Sequence, residues 1–235
     1  MGTACPRCGK QFQRLAMHWQ RSACERVGFT DSQLEHVRGL LMGDADIHGR
    51  NDPNPLFRLR MTNERFLHYV DELFGILSKG VSLERTATEM AKQAMENQAN
   101  GVQGFESVNP SNYSSLYGLR TMSHPDLREF NQWYCSAGKR YPEDLSLTPE
   151  LCRMWYVCDG WLATDSTSTD RPRVMFKCTN ERERQPFLTG LFDEEGFDAG
   201  FSRDSIQVSA HDTEQLLSWM GPAPPGFEYK WAYED

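Results

Sequence analysis

Two stretches of the chain alternate between apolar and polar positions, broken in the second by Met175 alone. In the first, Phe57, Leu59 and Met61 fall on one side and Arg58, Arg60 and Thr62 on the other. In the second, Val174, Phe176 and Cys178 oppose Arg173, Lys177 and Thr179. A period of two predicts strands, here with an apolar back and a basic front. Apolar residues at helical spacing follow each run: Phe66, Leu67, Val70, Leu73, Phe74 and Leu77, then Phe187, Leu188, Leu191 and Phe192. Such helices would cover the apolar backs of the sheets. Each run is also preceded by a denser apolar segment that ends in an acid, Gly39-Leu40-Leu41-Met42-Gly43-Asp44 and Met154-Trp155-Tyr156-Val157-Cys158-Asp159. The first predicts a helix capped by Asp31 or Ser32 and running through Gly43. The second opens with Thr148 as N-cap and Pro149 in the first turn. After each acid come a strand and a turn, His48 to Pro53 in one case and Thr167 to Pro172 in the other.

These segments form an internal repeat. Arg58-Leu59-Arg60-Met61-Thr62-Asn63-Glu64-Arg65 and Met175-Phe176-Lys177-Cys178-Thr179-Asn180-Glu181-Arg182 share the order basic, apolar, Thr, Asn, Glu, Arg. Asp44 precedes Thr62 by 18 positions and Asp159 precedes Thr179 by 20, a difference that a longer hairpin turn absorbs. Gly39 and Gly43 lie one helical turn apart on one face, which lets another helix backbone come close.

Composition narrows the class. With 235 residues, 39% of them hydrophobic, the chain can bury a sizeable core, which excludes disorder throughout. No segment approaches the roughly 20 apolar residues of a membrane span, and MGTACPRCGK at the start lacks a signal-peptide core. A soluble cytoplasmic monomer is expected, with no membrane partner. The net charge of −8 argues at first sight against nucleic acid. Its distribution weakens that objection. Residues 1–26 hold five bases against Glu25, a net of +4, whereas residues 193–235 hold ten acids against Arg203 and Lys230, a net of −8. Of the 25 basic residues 6 are Lys and 19 Arg. An acidic, Arg-rich chain of this kind is expected of a halophilic archaeon, or of an ordinary acidic cytosolic protein. In the first case DNA attraction would be local and would work in high salt, where counterion release is weak.

Cys5, Cys8, His18 and Cys24 are spaced C-x2-C-x9-H-x5-C. Two thiolates from a tight knuckle and two donors from a short helix make a tetrahedral Zn²⁺ site of the kind found in small ββα fingers. Phe12 and Leu15 would supply its small core, and metal most of its stability. Four protein ligands leave no open position, so the zinc would be structural. A disulfide or a chance Cys-x2-Cys are the alternatives, the former disfavoured in a cytosolic chain. Cys135, Cys152, Cys158 and Cys178 show no ligand spacing and read as small core residues.

Asp44 and Asp159 need a different explanation. A carboxylate at a helix C-terminus faces the negative end of the dipole, at a cost of roughly 0.3–1 kcal/mol when exposed. Two such acids at a repeat interface would also repel each other. A hard divalent cation, Mg²⁺ or Mn²⁺, offsets both effects and can activate water against a phosphodiester. The alternative is that each acid merely stops its helix. The repetition, with a basic sheet beside each copy, favours metal-dependent phosphodiester chemistry.

Val37-Arg38-Gly39-Leu40-Leu41-Met42-Gly43-Asp44-Ala45 resembles the LAGLIDADG signature of homing endonucleases, and Cys152-Arg153-Met154-Trp155-Tyr156-Val157-Cys158-Asp159-Gly160 resembles the second copy of single-chain members. Ser123-His124-Pro125, Trp133-Tyr134, Pro142-Glu143-Asp144-Leu145 and Gly226-Phe227-Glu228-Tyr229-Lys230-Trp231 are also similar, so the resemblance spans roughly residues 31–232. It implies an α+β fold: a pseudo-twofold pair of αββαββα subdomains with saddle-shaped antiparallel sheets on DNA. The expected division is a CCHC zinc finger at 1–26, a first subdomain at 31–138, a linker at 139–147 and a second subdomain with the C-terminal tail at 148–235. The resemblance also implies double-strand cleavage at a long, nearly palindromic DNA site, with Asp44 and Asp159 holding the metal. Lys177 and Arg60 occupy strand positions suited to polarising the water. Ala45 replaces the final glycine of the first signature. Met154 stands where the first copy has Gly39, so the helix interface should be less close-packed than the ideal.

Arg50, Arg58, Arg171 and Arg173 are the expected DNA contacts, on turns or on the basic fronts. Asp46 and Asp165 as further ligands, and His48 as a base, are weaker readings than solvated strand or turn residues. Leu83 to Ala99 has helical period, although the resemblance places a strand near its start; a strand followed by an inserted helix is expected. Asn100 to Ser115, rich in Gly, Asn and Ser, reads as a long loop. The rival function is a non-catalytic nucleic-acid binder on the same fold, an intron maturase or a DNA-binding regulator. A zinc-stabilised protein-interaction module is a distant third.

Overall fold

The computed structural model describes residues 2–136, 138–163 and 171–233, the side chains of Ala16 and Gln20 excepted. Asp165 and the turn from Thr167 to Asp170 lie outside the described residues. The first long helix, α2 (Asp31–Met42), is capped by Thr30 rather than by Asp31 or Ser32. The reason lies three residues on. Gln33 N donates to Thr30 Oγ1 at 3.2 Å and Thr30 N donates to Gln33 Oε1 at 3.0 Å, a closed capping box. Asp31 then falls in the first turn, where its charge suits the dipole. The equivalent helix, α5 (Pro149–Asp159), starts as its sequence predicts, with Leu151 N donating to Thr148 Oγ1 at 3.2 Å.

Helices α2 and α5 pack against each other at the centre of the main core. Their contact is close despite Met154. A Cβ built on Gly39 would overlap Leu151 O and lie 2.7 Å from Met154 Cβ. The glycine of one helix thus receives the larger residue at the equivalent position of the other, and the expected loosening does not occur.

Each helix leads into a four-stranded antiparallel sheet. The first contains β3 (Asp46–His48), β4 (Leu56–Met61), β5 (Ser78–Arg85) and β6 (Leu116–Thr121), in spatial order β3-β4-β6-β5. The second contains β9 (Gly160–Ala163), β10 (Arg173–Lys177), β11 (Ala199–Ser202) and β12 (Ser205–Val208), in order β9-β10-β12-β11. The two orders superpose element for element, which is the structural form of the repeat. Phe57, Leu59, Val174 and Phe176 are fully buried, while Arg60 and Lys177 on the opposite faces are exposed. Helices α3 (Glu64–Phe74) and α6 (Gln185–Asp193) supply the buried Phe66, Leu67, Val70 and Phe74, and Leu188, Leu191 and Phe192, to the same core.

The halves end differently. The second closes with α7 (Thr213–Met220), the first with a 3-10 helix over Pro125–Trp133 where αββαββα calls for an α-helix. Its buried residues Leu127, Phe130 and Trp133 recur every third position, which suits three residues per turn. Strand β5 runs to Arg85, and the inserted helix α4 (Ala87–Ala99) begins only after the Thr86 capping box. The helical period therefore holds from Ala87 onward, and Leu83 is an exposed strand residue. Residues 100–115 form the expected loop, apart from a 3-10 turn at Pro110–Asn112. At the N-terminus β1 (Thr3–Ala4), β2 (Gln11–Phe12) and α1 (Leu15–Arg21) make a small ββα unit.

Candidate active site and metal centre

The two acids follow directly from the helix packing. Asp44 leaves α2 one residue after Gly43, and Asp159 is the last residue of α5. The Cβ position of Gly43 lies 3.5 Å from Asp159 Oδ2, which brings Asp159 beside the residue that precedes Asp44. Desolvation raises the pKa of both, and the Asp44 charge adds to it at Asp159, which is pushed up to about 6.

Two lysines answer this charge. Lys139 Nζ donates to Gly43 O at 2.5 Å and Ala45 O at 3.1 Å. Lys230 Nζ donates to Gly160 O at 2.6 Å, Val157 O at 2.7 Å and Tyr156 O at 3.2 Å. Ala45 and Gly160 are equivalent positions of the repeat, so each ammonium sits on the negative end of one signature helix. Burial lowers both lysine pKa values, and Asp44 and Asp159 act in the opposite sense. Neither lysine belongs to a motif that marks it in the sequence. The available signal is slight: in a chain with 19 Arg and 6 Lys, Lys is used at 139, where the linker begins, and at 230, near the C-terminus.

Of the strand residues, Lys177 lines the same cleft as Asp159 and Lys139, together with Tyr141 and Thr179. Its ammonium pairs with Asp204 Oδ2 at 2.6 Å. Arg60 is on the outer face of the first sheet, 3.9 Å from Glu84. Arg58 forms a two-pronged pair with Asp46 at 2.8 and 2.9 Å, its neighbour across the ladder. Arg120 lies opposite Arg58 on the other side and pairs with Glu84 at 3.1 Å. The front is basic, but its crowded arginines share two acids. Arg50 stacks over the Tyr134 ring at 4.2 Å. Arg171 is exposed, and Arg173 is on β10 opposite Ala163. His48 is exposed at the outer end of β3.

No family model and no curated protein matches the chain. Among solved structures, the homing endonuclease I-WcaI bound to its DNA recognition sequence is similar over 94% of both chains, with a TM-score of 0.72 and 14% identity. The chain has the LAGLIDADG fold. The N-terminal LAGLIDADG domain of DUF199/WhiA is also similar, at a TM-score of 0.42 and 11% identity, covering 83% of this chain and 87% of that one. No helix among the described residues is long and apolar enough to cross a membrane. The halophilic reading of the composition gains no support from these likenesses.

A second centre is attached to the LAGLIDADG core. Cys5, Cys8, His18 and Cys24 place their donor atoms within 4.8 Å of one another. Cys5 Sγ and Cys24 Sγ are 3.9 Å apart, and Cys8 Sγ and His18 Nε2 are 3.5 Å apart. Zn–S and Zn–N bonds of about 2.3 and 2.0–2.1 Å at the tetrahedral angle require edges of roughly 3.8 and 3.5 Å. The donor set therefore fits Zn²⁺. The knuckle is closed by Cys5 N donating to Lys10 O and Gly9 N donating to Cys5 O, both at 2.8 Å, with Gly9 at φ +72°. His18 stacks on Phe12, and its Nδ1 lies 3.3 Å from Ser22 Oγ, which sets the ring orientation. Leu15 and Trp19 bury the unit against Ile76 and Met122 of the core.

Proposed function

We propose that the chain is a site-specific endonuclease of homing type, hydrolysing phosphodiesters in double-stranded DNA with Mg²⁺ or Mn²⁺ held by Asp44 and Asp159. The observation that carries this reading is the closeness of two carboxylates with raised pKa at the ends of paired helices, each helix leading into an antiparallel sheet with a basic front. A divalent ion there would relieve the repulsion and supply charge stabilisation and an acidified water at the scissile phosphate. Both carboxylates are hard oxygen donors that lie where the backbone offers a negative helix end, so the donor chemistry fits. Lys139 and Lys230, fixed on the adjacent carbonyls, would offset the charge of the two acids and keep them ionised for the metal. Lys177 and Arg60 would polarise or position water from the sheet side. As the water oxygen bonds to phosphorus, the bond from phosphorus to the leaving oxygen breaks.

Arg50, Arg58, Arg171 and Arg173 would contact DNA from the turns and strands. The site would be long and nearly palindromic, with unequal halves. The first front offers Arg58, Arg60 and Arg120, whereas the second adds Trp161, Met175 and Gln207 beside Arg173 and Lys177. The finger would hold structural Zn²⁺. Arg26, just beyond the last zinc ligand, donates to Asn54 Oδ1 at 3.3 Å, and Asn54 belongs to the turn between β3 and β4. The basic finger would thus extend phosphate contacts beyond the first half-site.

The test is selection of cleaved sites from a random duplex library with Mg²⁺ present. Sequence-specific double-strand cuts are the expected result. Tight duplex binding with no cut by the wild-type chain would move the assignment to a non-catalytic binder, maturase or regulator.

A further inference from the structure

Three side chains of the repeated Thr-Asn-Glu-Arg motif, Asn63, Arg65 and Glu181, have no part in the chemistry above, yet each is bonded to a distant segment of the chain. We propose that the motif is a paired brace, in which each copy reaches a distant segment, the C-terminal stretch or the linker, and holds the backbone that carries one of the two helix-end lysines.

In the first copy Asn63 uses both ends of its amide. Oδ1 accepts from Phe66 N at 3.1 Å and caps α3, while Nδ2 donates to Gly226 O at 2.8 Å. Arg65 adds a pair with Glu228 at 3.2 Å, and Glu228 in turn accepts from Gly226 N at 2.9 Å. Gly226 has φ +88°, and a Cβ there would overlap the Asn63 amide. Four residues further on is Lys230, whose carbonyl accepts from Tyr156 Oη at 3.0 Å. Its ammonium is thus delivered to α5 from a backbone pinned on both sides.

The second copy does the same with different groups. Glu181, only 3% exposed, accepts from Tyr141 N at 2.7 Å. Its other oxygen pairs with Arg184 at 2.9 Å, and Arg184 donates to Tyr141 O at 2.7 Å. Tyr141 Oη donates to Met42 O at 2.7 Å, and Lys139 lies two residues before it. The first brace rests on an amide and an exposed ion pair, with Arg65 and Glu228 side chains 71% and 57% exposed. The second rests on a buried pair, where each lost partner matters more.

Capping alone does not explain Asn63, because its cap oxygen would be supplied equally by Asp. The Nδ2 donor is additional and is spent on the opposite half. A lysine has four rotatable side-chain bonds, so holding its ammonium at one helix end depends on a fixed backbone.

The test uses the full chain with Asn63→Asp, which keeps the cap and removes the donor, and Glu181→Gln, which keeps an acceptor and removes the charge. Amide exchange should rise about tenfold in residues 226–231 for Asn63→Asp and in residues 138–141 for Glu181→Gln, each leaving the other segment unchanged. The cleavage arm rests on the endonuclease reading. On a duplex labelled on both strands, each variant should bind as wild type, with nicking of one strand slowed about tenfold and the opposite strand affected in the other variant. Unchanged exchange in the braced segment, or equal slowing of both strands, would overturn the brace. If the wild-type chain cuts no DNA, the endonuclease reading fails, and the exchange arm still decides the brace.

Discussion

Gly43 packs against Cys158, the residue that holds its own position in the other copy of the repeat. A Cβ on Gly43 would overlap Cys158 Cβ and come 3.0 Å from its Sγ. The pseudo-twofold is therefore close because it is unequal. One helix supplies the gap and the other fills it, and the two acids one position later are brought together as a result.

Gly43→Ala should destabilise the protein by about 1–3 kcal/mol, the usual range for overpacking. Adding Cys158→Gly moves the gap to the other helix and should recover most of the loss. Gly39→Ala with Met154→Gly should not recover, because the added methyl still meets the Leu151 carbonyl. Thermal melts of the four variants decide this; equal recovery in both pairs would show that the side chains, not the backbone approach, set the spacing.

Asp44→Asn with Asp159→Asn should abolish cutting and leave DNA binding intact, measured by gel shift and cleavage on one substrate. Retained cutting in the double variant removes these acids from the active site.

Asp159 has a folded-state pKa raised to about 6, well above an ordinary carboxyl. A raised value means that its favourable contribution is full below pH ~4 and is lost as the pH climbs through about 6. Without added divalent ions, the wild-type melting temperature should therefore fall from pH 5 to 7 relative to Asp159→Asn. Cleavage should show the reverse trend and decline below about pH 6, where the carboxylate takes up its proton. A wild-type-minus-variant difference that is flat in pH would contradict the burial argument.

Strong chelation should release about one Zn²⁺ per chain, detected colorimetrically, and change Trp19 fluorescence, since Trp19 sits in the finger's core beside Cys5. The disturbance should reach Ile76 and Met122 but leave the α2–α5 core folded. Absence of zinc in protein purified without chelator counts against the finger.

Asp46 pairs with Arg58 through two hydrogen bonds, which withholds one guanidinium from solvent anions. Asp46→Asn should tighten non-specific duplex binding and steepen the salt dependence by about 0.9 in log–log slope, the value of one phosphate contact. Anisotropy titrations at several salt concentrations measure it. An unchanged slope would place Arg58 off the DNA interface.

Local order determined much of this protein from its sequence alone. The alternation at 57–62 and 173–179, the apolar runs ending in Asp44 and Asp159, and the C-x2-C-x9-H-x5-C spacing each concern residues within about 20 positions. Period and chelate geometry act over that range, so strands, helices, the two helix-end acids and the Cys3His cluster were legible. The resemblance added the pairing of the two halves. Tertiary structure decided the rest. Lys139 and Lys230 carry no local pattern, and they become site residues only when the ends of both halves fold back onto the signature helices. Asn63 meets Gly226 across 163 positions, and Glu181 meets Tyr141 across 40. The Thr30 cap and the 3-10 helix at Pro125–Trp133 follow instead from local patterns, the Thr30–Gln33 capping box and the three-residue spacing of Leu127, Phe130 and Trp133. A sequence records which groups can bond; the packing of α2 on α5 determines which of them meet.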